Sequence, residues 1–279
     1  MVLENIANTI NSKPKLKFFL VGFLYLSIAM YIGIWKFSKH TGLAITFFTV
    51  LAAFPFFYST IKKEEKVDIK EKEERNILKS HMKVLNYFLM FFIGVVIAAT
   101  FWSLVLPTET VASAFDSQYE AIGSINPALA GKATNTEVAT SAGEAFFDIF
   151  SHNLEILVLC IFFSFIYGAG ALFVLTWNAT VVGVAIASFV KMQSGSVVVS
   201  LGHGMLRFLI HGIPEILAFI TAGLAGGIIS VAVIRHHLFT KKSHKIILDS
   251  TILIIISIII LIFAALLEVF VTPAVVSLF

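Results

Sequence analysis

Long stretches of uncharged, mostly apolar residues limit the fold of this chain more than any other feature. Residues 84–106 carry no charge over 23 residues, and residues 156–190 carry none over 35. An α-helix needs about 20 apolar residues to cross the hydrocarbon core of a bilayer. Because backbone polar groups in lipid must be satisfied within the protein, such stretches predict membrane-spanning helices.

The overall composition supports the same interpretation. Hydrophobic residues make up 58% of the chain and charged residues only 13%, whereas about a quarter of the residues of a soluble protein are charged. We therefore predict an all-α fold, a polytopic transmembrane helical bundle of about seven spans plus one re-entrant or interfacial half-helix.

The apolar pattern also predicts how the chain is divided. Residues 1–61 form a two-span hairpin, residues 62–83 a charged cytoplasmic linker, and residues 84–279 a membrane domain with a long extracytoplasmic loop at 108–150. Mixed charges at helical spacing make the linker a solvated helical extension. The remaining spans are two helices within 156–190 that turn near Thr176, then 216–234 and 250–267, with the half-helix before residue 213.

The distribution of basic residues predicts the orientation. Placing the N-terminus, the 62–83 linker and the 235–245 loop in the cytoplasm puts 15 of the 20 Lys and Arg residues there, as the positive-inside rule requires. The prediction is a multi-pass protein of the cell membrane with a cytoplasmic N-terminus and an extracytoplasmic C-terminus. Its partner is the lipid bilayer and not nucleic acid, since the net charge of +3 is small and confined to particular loops.

Polar residues inside the apolar stretches are the candidates for function, because burying an unpaired ionisable group in a membrane costs several kcal/mol. His211 and Glu215 lie four residues apart on either side of Pro214. Pro suits the first turn of a helix, and a carboxylate is favoured there by the helix dipole. We predict a helix break at Pro214 that these two residues stabilise. The predicted polar cluster comprises Asn153, Glu155, Asn178, Arg207, His211, Glu215 and Glu268.

Two other interpretations remain open for this cluster. Broken helices that meet inside a membrane are where transporters bind solutes or ions, and Glu155 and Glu215 could line such a site. A metal-dependent hydrolase is the less favoured interpretation. His152 and His211 are its candidate metal ligands, each followed by a glutamate on the same helical face. The His-Glu-x-x-His motif is absent, and we predict no cofactor and no metal.

Small residues in the apolar stretches predict close contacts between helices. Gly223 and Gly227 are four residues apart, a spacing that lets two helix backbones approach. Packing within the bundle is the first interpretation, and a homodimer face is the alternative. Gly168 and Gly183 are further predicted packing positions.

From about residue 146 onward, several polar and glycine residues follow one another in a recognisable order. They are Asn153, Gly168, Asn178, Gly183, the pair His211-Gly212, Glu215, and Glu268 with Pro273. This part of the chain resembles the stage II sporulation protein M family of integral membrane proteins. The resemblance covers about half of the chain and leaves out the first two spans and the charged linker.

The resemblance implies a role as well as an architecture. The sporulation member of the family works in a membrane complex that remodels peptidoglycan, as a scaffold. We therefore expect a non-enzymatic membrane scaffold or assembly component whose partner is a membrane or envelope protein. A small-solute or ion transporter is the alternative.

Overall fold

The computed structural model describes residues 14–37, 39–68, 74–125, 141–167, 171–193, 195–234 and 241–277. In this part of the chain, seven helices are long and apolar enough to cross a membrane. Their candidate spans are Lys15–Lys36, Thr41–Tyr58, Lys83–Val105, Ala142–Phe165, Ala171–Met192, Val197–Ser230 and Ile247–Val276. The predicted all-α polytopic fold is confirmed.

Helices account for nearly all of the residues that the structure describes. In chain order they are α1 (Pro14–Lys36), α2 (Thr41–Asp68), α3 (Glu74–Val105), α4 (Thr108–Ala114), α5 (Asp116–Ile125), α6 (Ala142–Tyr167), α7 (Ala171–Met192), α8 (Val197–Ile234), α9 (Lys241–Leu266), a π-helical segment (Leu267–Val271) and α10 (Thr272–Val276).

The predicted helix break at Pro214 is wrong, because α8 runs without interruption from Val197 to Ile234 with Pro214 inside it. Proline removes one backbone hydrogen bond, but neighbouring helices make this tolerable in transmembrane helices. The predicted half-helix is thus the first part of α8, continuous with the sixth span.

The turn predicted near Thr176 is also wrong. Residues 176–178 lie inside α7, and the helices on either side of the connection end at Tyr167 and begin at Ala171. The intervening sequence is Gly-Ala-Gly. Glycine is a much poorer helix former than threonine, tryptophan or asparagine, so the glycines were the better signal.

The segments between the spans are helical where they are described. Helix α2 continues through the start of the charged linker to Asp68, and α3 begins within the linker at Glu74, so the predicted helical extension is confirmed. The long 108–150 loop contains α4, α5 and the start of α6. Ser141 and Glu144 form a reciprocal capping box at the start of α6, with N···O distances of 2.8 and 3.3 Å.

The helices group into two compact units. The first unit comprises residues 1–126 and 176–187, and the second comprises residues 127–175 and 188–279. Helices α1 to α5 and the middle of α7 therefore form the first unit. The two ends of α7 and the remaining helices form the second unit.

In the first unit, α1 packs in parallel with α3. A Cβ atom added at Gly94 would collide with the backbone of Phe19, and one added at Gly22 would collide with the backbone of Phe91. Each helix thus presents a glycine to the other, which allows the backbones to touch. Farther along, Trp102 Nε1 donates a hydrogen bond to Ser27 Oγ over 2.8 Å.

The predicted packing role of Gly183 is consistent with its contacts in the first unit. A Cβ atom at Gly183 would lie 2.6 Å from Ala99 Cβ and 2.7 Å from Val96 O. The hydroxyl of Thr100 donates to the carbonyl of Gly183 over 3.1 Å. Small residues therefore bring α3 and α7 together at this point.

Candidate functional site

In the second unit, α8 is the helix that carries the candidate site, and it packs against both α6 and α9. Glycines make the contact with α6 close. A Cβ atom at Gly226 would lie 2.5 Å from Ile161 O, and one at Gly223 would lie 3.2 Å from Ser164 Oγ. Gly223 therefore packs within the chain, whereas Gly227 is half-buried and Gly168 lies outside the described residues.

The polar residues of α8 form a single stripe. His203, Arg207, His211 and Glu215 follow one another at intervals of four. Because α8 is continuous, residues at this spacing lie on one face of the helix. This face contacts the last helix, which comprises α9, the π-helical segment and α10. The two helices are antiparallel, because His211 contacts Thr272 and the later Glu215 contacts the earlier Glu268.

Asn153, His211, Glu215 and Glu268 meet in one cluster, which we call the polar cluster together with Thr272. Asn153 Nδ2 donates to Glu215 Oε1 over 2.8 Å, and the carboxyl groups of Glu215 and Glu268 are neighbours. His211 Nε2 lies 3.9 Å from Glu268 Oε1, and His211 Nδ1 lies 3.2 Å from Thr272 Oγ1.

The proximity of the two carboxyl groups has a chemical consequence. A carboxylate has only acceptor oxygens, so one carboxyl group can donate to another only when it carries a proton. Two bare carboxylates at this separation would repel each other. The pair is therefore suited to hold one proton, or a cation in its place.

A local widening of the last helix positions Glu268. The Thr272 N–H donates to the Leu267 carbonyl, five residues earlier, so residues 267–271 form one π-helical turn. Pro273 explains this irregularity, because it has no N–H to donate to Val269 and its ring crowds that carbonyl. Such π-turns frequently occur at functional sites.

The exposed acidic residues of α6 and α9 indicate the depth of the polar cluster. Asn153 follows the exposed Asp148 by five residues, which is about 8 Å along α6. Glu268 follows the exposed Asp249 by 19 residues, or about 29 Å, which is close to the thickness of the hydrocarbon core. Glu268 therefore lies in the last third of its candidate span, whereas Asn153 and Glu215 fall near the middle of the candidate spans Ala142–Phe165 and Val197–Ser230.

Three predicted members of the cluster, Glu155, Asn178 and Arg207, stand apart from it, as does the candidate metal ligand His152. Glu155 and His152 are exposed, although they neighbour Asn153 in sequence. Asn178 belongs to the first unit. Arg207 lies on the same stripe one turn before His211, with its guanidinium carbon 5.6 Å from the centre of the Phe189 ring. In the described part of the chain, no group of three His, Cys, Asp or Glu residues could hold a metal ion.

Sequence reasoning missed Thr272, which is buried and contacts His211. The sequence could have identified Thr272 from its position four residues after Glu268, on the same helical face and directly before Pro273.

It also missed a second polar cluster, in the first unit. The amide of Gln118 donates to the Thr180 hydroxyl over 3.1 Å and to the Gly42 carbonyl over 3.3 Å. The Gly42 N–H in turn donates to Asp116 Oδ1 over 3.1 Å. These residues attach α5 to the start of α2 and to α7.

Asp116 is the ionisable member of this second cluster and lies outside the spans. Burial raises the pKa of its carboxyl group, but hydrogen bonds from the N–H groups of Gly42 and Ser117 and from the Ser117 hydroxyl lower it. The hydrogen bonds outweigh burial, so the pKa of Asp116 lies below its usual value.

A family model described as stage II sporulation protein M matches residues 87–273. The match begins well before the motifs at 146 and includes most of α3 and the helices that follow it, while α1 and α2 lie outside it. It contains every member of the polar cluster. A comparison with curated proteins finds no match, and neither does a comparison with solved structures.

Proposed function

Since the chain belongs to the stage II sporulation protein M family, we propose that it is a non-enzymatic membrane scaffold, an assembly component that holds membrane or envelope proteins in place. One observation carries this proposal. The ionisable groups of the polar cluster are bound to one another and to Asn153 and Thr272. Such a network fastens α6, α8 and the last helix together without a ligand.

Two further observations support a structural role for the polar cluster. Glu155 is exposed, so it does not line a cavity with Glu215. Secondary transporters bind their substrates between broken helices, whereas α8 is continuous. A rigid polar fastening suits a scaffold, which must present fixed surfaces.

Transport of protons or cations is the second candidate function. The neighbouring carboxyl groups of Glu215 and Glu268 favour it, because two carboxyl groups side by side can hold one proton or exchange it for a cation. The π-helical turn at Glu268 would supply a place where the last helix can change conformation.

A reconstitution experiment separates the two candidates. The full chain is placed in liposomes that contain a pH-sensitive dye, and a pH gradient or a potassium diffusion potential is imposed. The scaffold proposal expects no proton, sodium or potassium flux above that of protein-free liposomes. A flux that Glu215→Gln abolishes and the matched exposed variant Glu155→Gln retains would establish transport instead.

The scaffold itself is tested in the membranes of the source cells. The tagged full chain is cross-linked, solubilised and purified, and a scaffold should bring down a second membrane or envelope protein at constant stoichiometry. Deleting the gene should then disperse that partner from its normal location. A chain that purifies alone after cross-linking, and whose deletion leaves envelope proteins in place, would contradict the proposal.

A further inference from the structure

A cavity lies beside the polar cluster, one helical turn closer to the start of α8. Its volume is about 200 Å³, and its lining residues are Phe189, Gln193, His203, Leu206, Arg207 and Val276. The end of α7, the first half of α8 and α10 supply these residues. The lining thus combines apolar side chains with an amide, an imidazole and one fixed positive charge.

Arg207 is that charge, and the described residues provide no anionic partner for it. Its guanidinium carbon lies 5.6 Å from the centre of the Phe189 ring, and this cation–π contact occupies none of its five N–H donors in a hydrogen bond. No carboxylate among the residues described forms an ion pair with it. Arg207 is only half-buried, so an anion can reach it from the cavity.

The depth of the cavity indicates where that anion comes from. Val276 follows the exposed Asp249 by 27 residues along the last helix, which is about 40 Å. A bilayer measures about 40–45 Å when the headgroup layers are included. If Asp249 lies in one headgroup layer, Val276 and Arg207 lie in the other, at the level of the lipid phosphates.

We infer that this cavity binds the phosphate group of an anionic phospholipid. Guanidinium donates two parallel hydrogen bonds to phosphate oxygens, and it does so better than a lysine ammonium. Gln193 can donate a further hydrogen bond from its amide. Leu206, Phe189 and Val276 offer apolar contact to the glycerol and the first acyl carbons, which a free phosphate ion would not use. The inference is independent of the proposed scaffold function.

The experiment measures lipid binding to the full chain purified in dodecyl maltoside. Dioleoyl phosphatidylglycerol is titrated in, and the bound lipid is counted by native mass spectrometry while the Tm is followed in parallel. We expect one tightly held lipid and a saturable rise in Tm. Arg207→Gln should weaken this binding about tenfold, the effect of losing a charge-assisted hydrogen bond of about 1.5 kcal/mol. Arg207→Lys should weaken it less.

The matched control is Lys191→Gln, which removes one positive charge from an exposed position at the end of the same helix α7, outside the cavity. It should bind the lipid as the wild type does. Inorganic phosphate and dioleoylglycerol, which each supply only half of the ligand, should leave the Tm unchanged.

Three results would overturn the inference. Equal lipid binding by Arg207→Gln and the wild type would remove Arg207 from the site. Equal weakening by Lys191→Gln and Arg207→Gln would reduce the effect to general surface charge. A Tm rise with inorganic phosphate alone that competes with the lipid would identify a site for a soluble anion. The Tm of each variant without lipid, compared with that of the wild type, shows whether the variant is folded.

Discussion

The first unit ties its helices together mainly with neutral polar groups, whereas the second unit does so with carboxyl groups and an imidazole. In the first unit, Gln118 contacts a threonine hydroxyl and a backbone carbonyl. Asp116, the charged residue of that cluster, lies outside the candidate spans. In the second unit, Glu215 and Glu268 lie within candidate spans and contact each other.

The two clusters differ in the free energy that is needed to bury their polar groups. A neutral hydrogen-bonded amide is tolerated in an apolar interior, but an ionisable group there must have partners or a bound proton. The first unit can therefore be explained by packing and stability alone. The second unit buries ionisable groups within its candidate spans, and they are stable there because they are partners of one another.

The largest effect should come from a glycine contact, because backbone packing is common to both units. Gly94→Leu forces α3 away from the backbone of Phe19, and we expect a loss of about 3 kcal/mol in the free energy of unfolding, as overpacking produces. The measurement is an SDS titration in mixed micelles, followed by circular dichroism.

Gly202→Leu is the matched control for this substitution, since nothing lies within 4 Å of a Cβ atom at Gly202. Replacing that exposed helical glycine should leave stability unchanged or raise it by up to about 1 kcal/mol. Equal losses in the two variants would mean that leucine itself, and not the helix contact, is responsible.

A smaller effect is expected in the polar cluster of the second unit. Glu215→Leu leaves Asn153 and Glu268 without their partner, and the cost should be about 2 kcal/mol. Glu215→Gln keeps an acceptor for Asn153 and a donor for Glu268, so it should cost less than half as much. The free energies of unfolding of both variants are compared in the same SDS titration. If both variants lose the same stability, the hydrogen bonds do not hold the cluster together.

The next effect is pH-dependent and belongs to the first unit. The pKa of Asp116 is lowered in the folded protein. The contribution of its carboxylate to the free energy of unfolding is therefore fully present above the unfolded pKa of about 3.9. It is lost as the pH falls through the lower folded value. Asp116→Ala should therefore cost about 1 kcal/mol near neutral pH, and the difference from the wild type should shrink below about pH 4.

Glu120→Ala is the control for that prediction, because Glu120 is an exposed carboxylate on the same helix, α5. Because Glu120 is exposed, its replacement should change the free energy of unfolding, followed by thermal unfolding across the pH range, by less than about 0.5 kcal/mol. An Asp116→Ala difference that is constant with pH would indicate lost packing and not a lost charge.

The sequence predicted the fold class and the number of spans, because uncharged stretches of 20 residues have few alternatives in a membrane. It also predicted Asn153, His211, Glu215 and Glu268 as members of one cluster, since polar groups in apolar helices need partners. It did not predict the continuity of α8, because a proline inside a helix depends on neighbours that periodicity does not reveal. Nor did it predict which face of α6 turns inward.

Glu155 tests that last point and should give the smallest effect. It lies two residues from Asn153, and two residues turn the side chain by about 200°, to the other side of the helix. Its exposure agrees with this. Glu155→Gln should therefore change the free energy of unfolding by less than about 0.5 kcal/mol, whereas Asn153→Leu should cost about 1 kcal/mol or more because Glu215 loses its donor. A larger loss of stability for Glu155→Gln than for Asn153→Leu in the SDS titration would mean that the opposite face of α6 packs inward and that Glu155 belongs to the polar cluster.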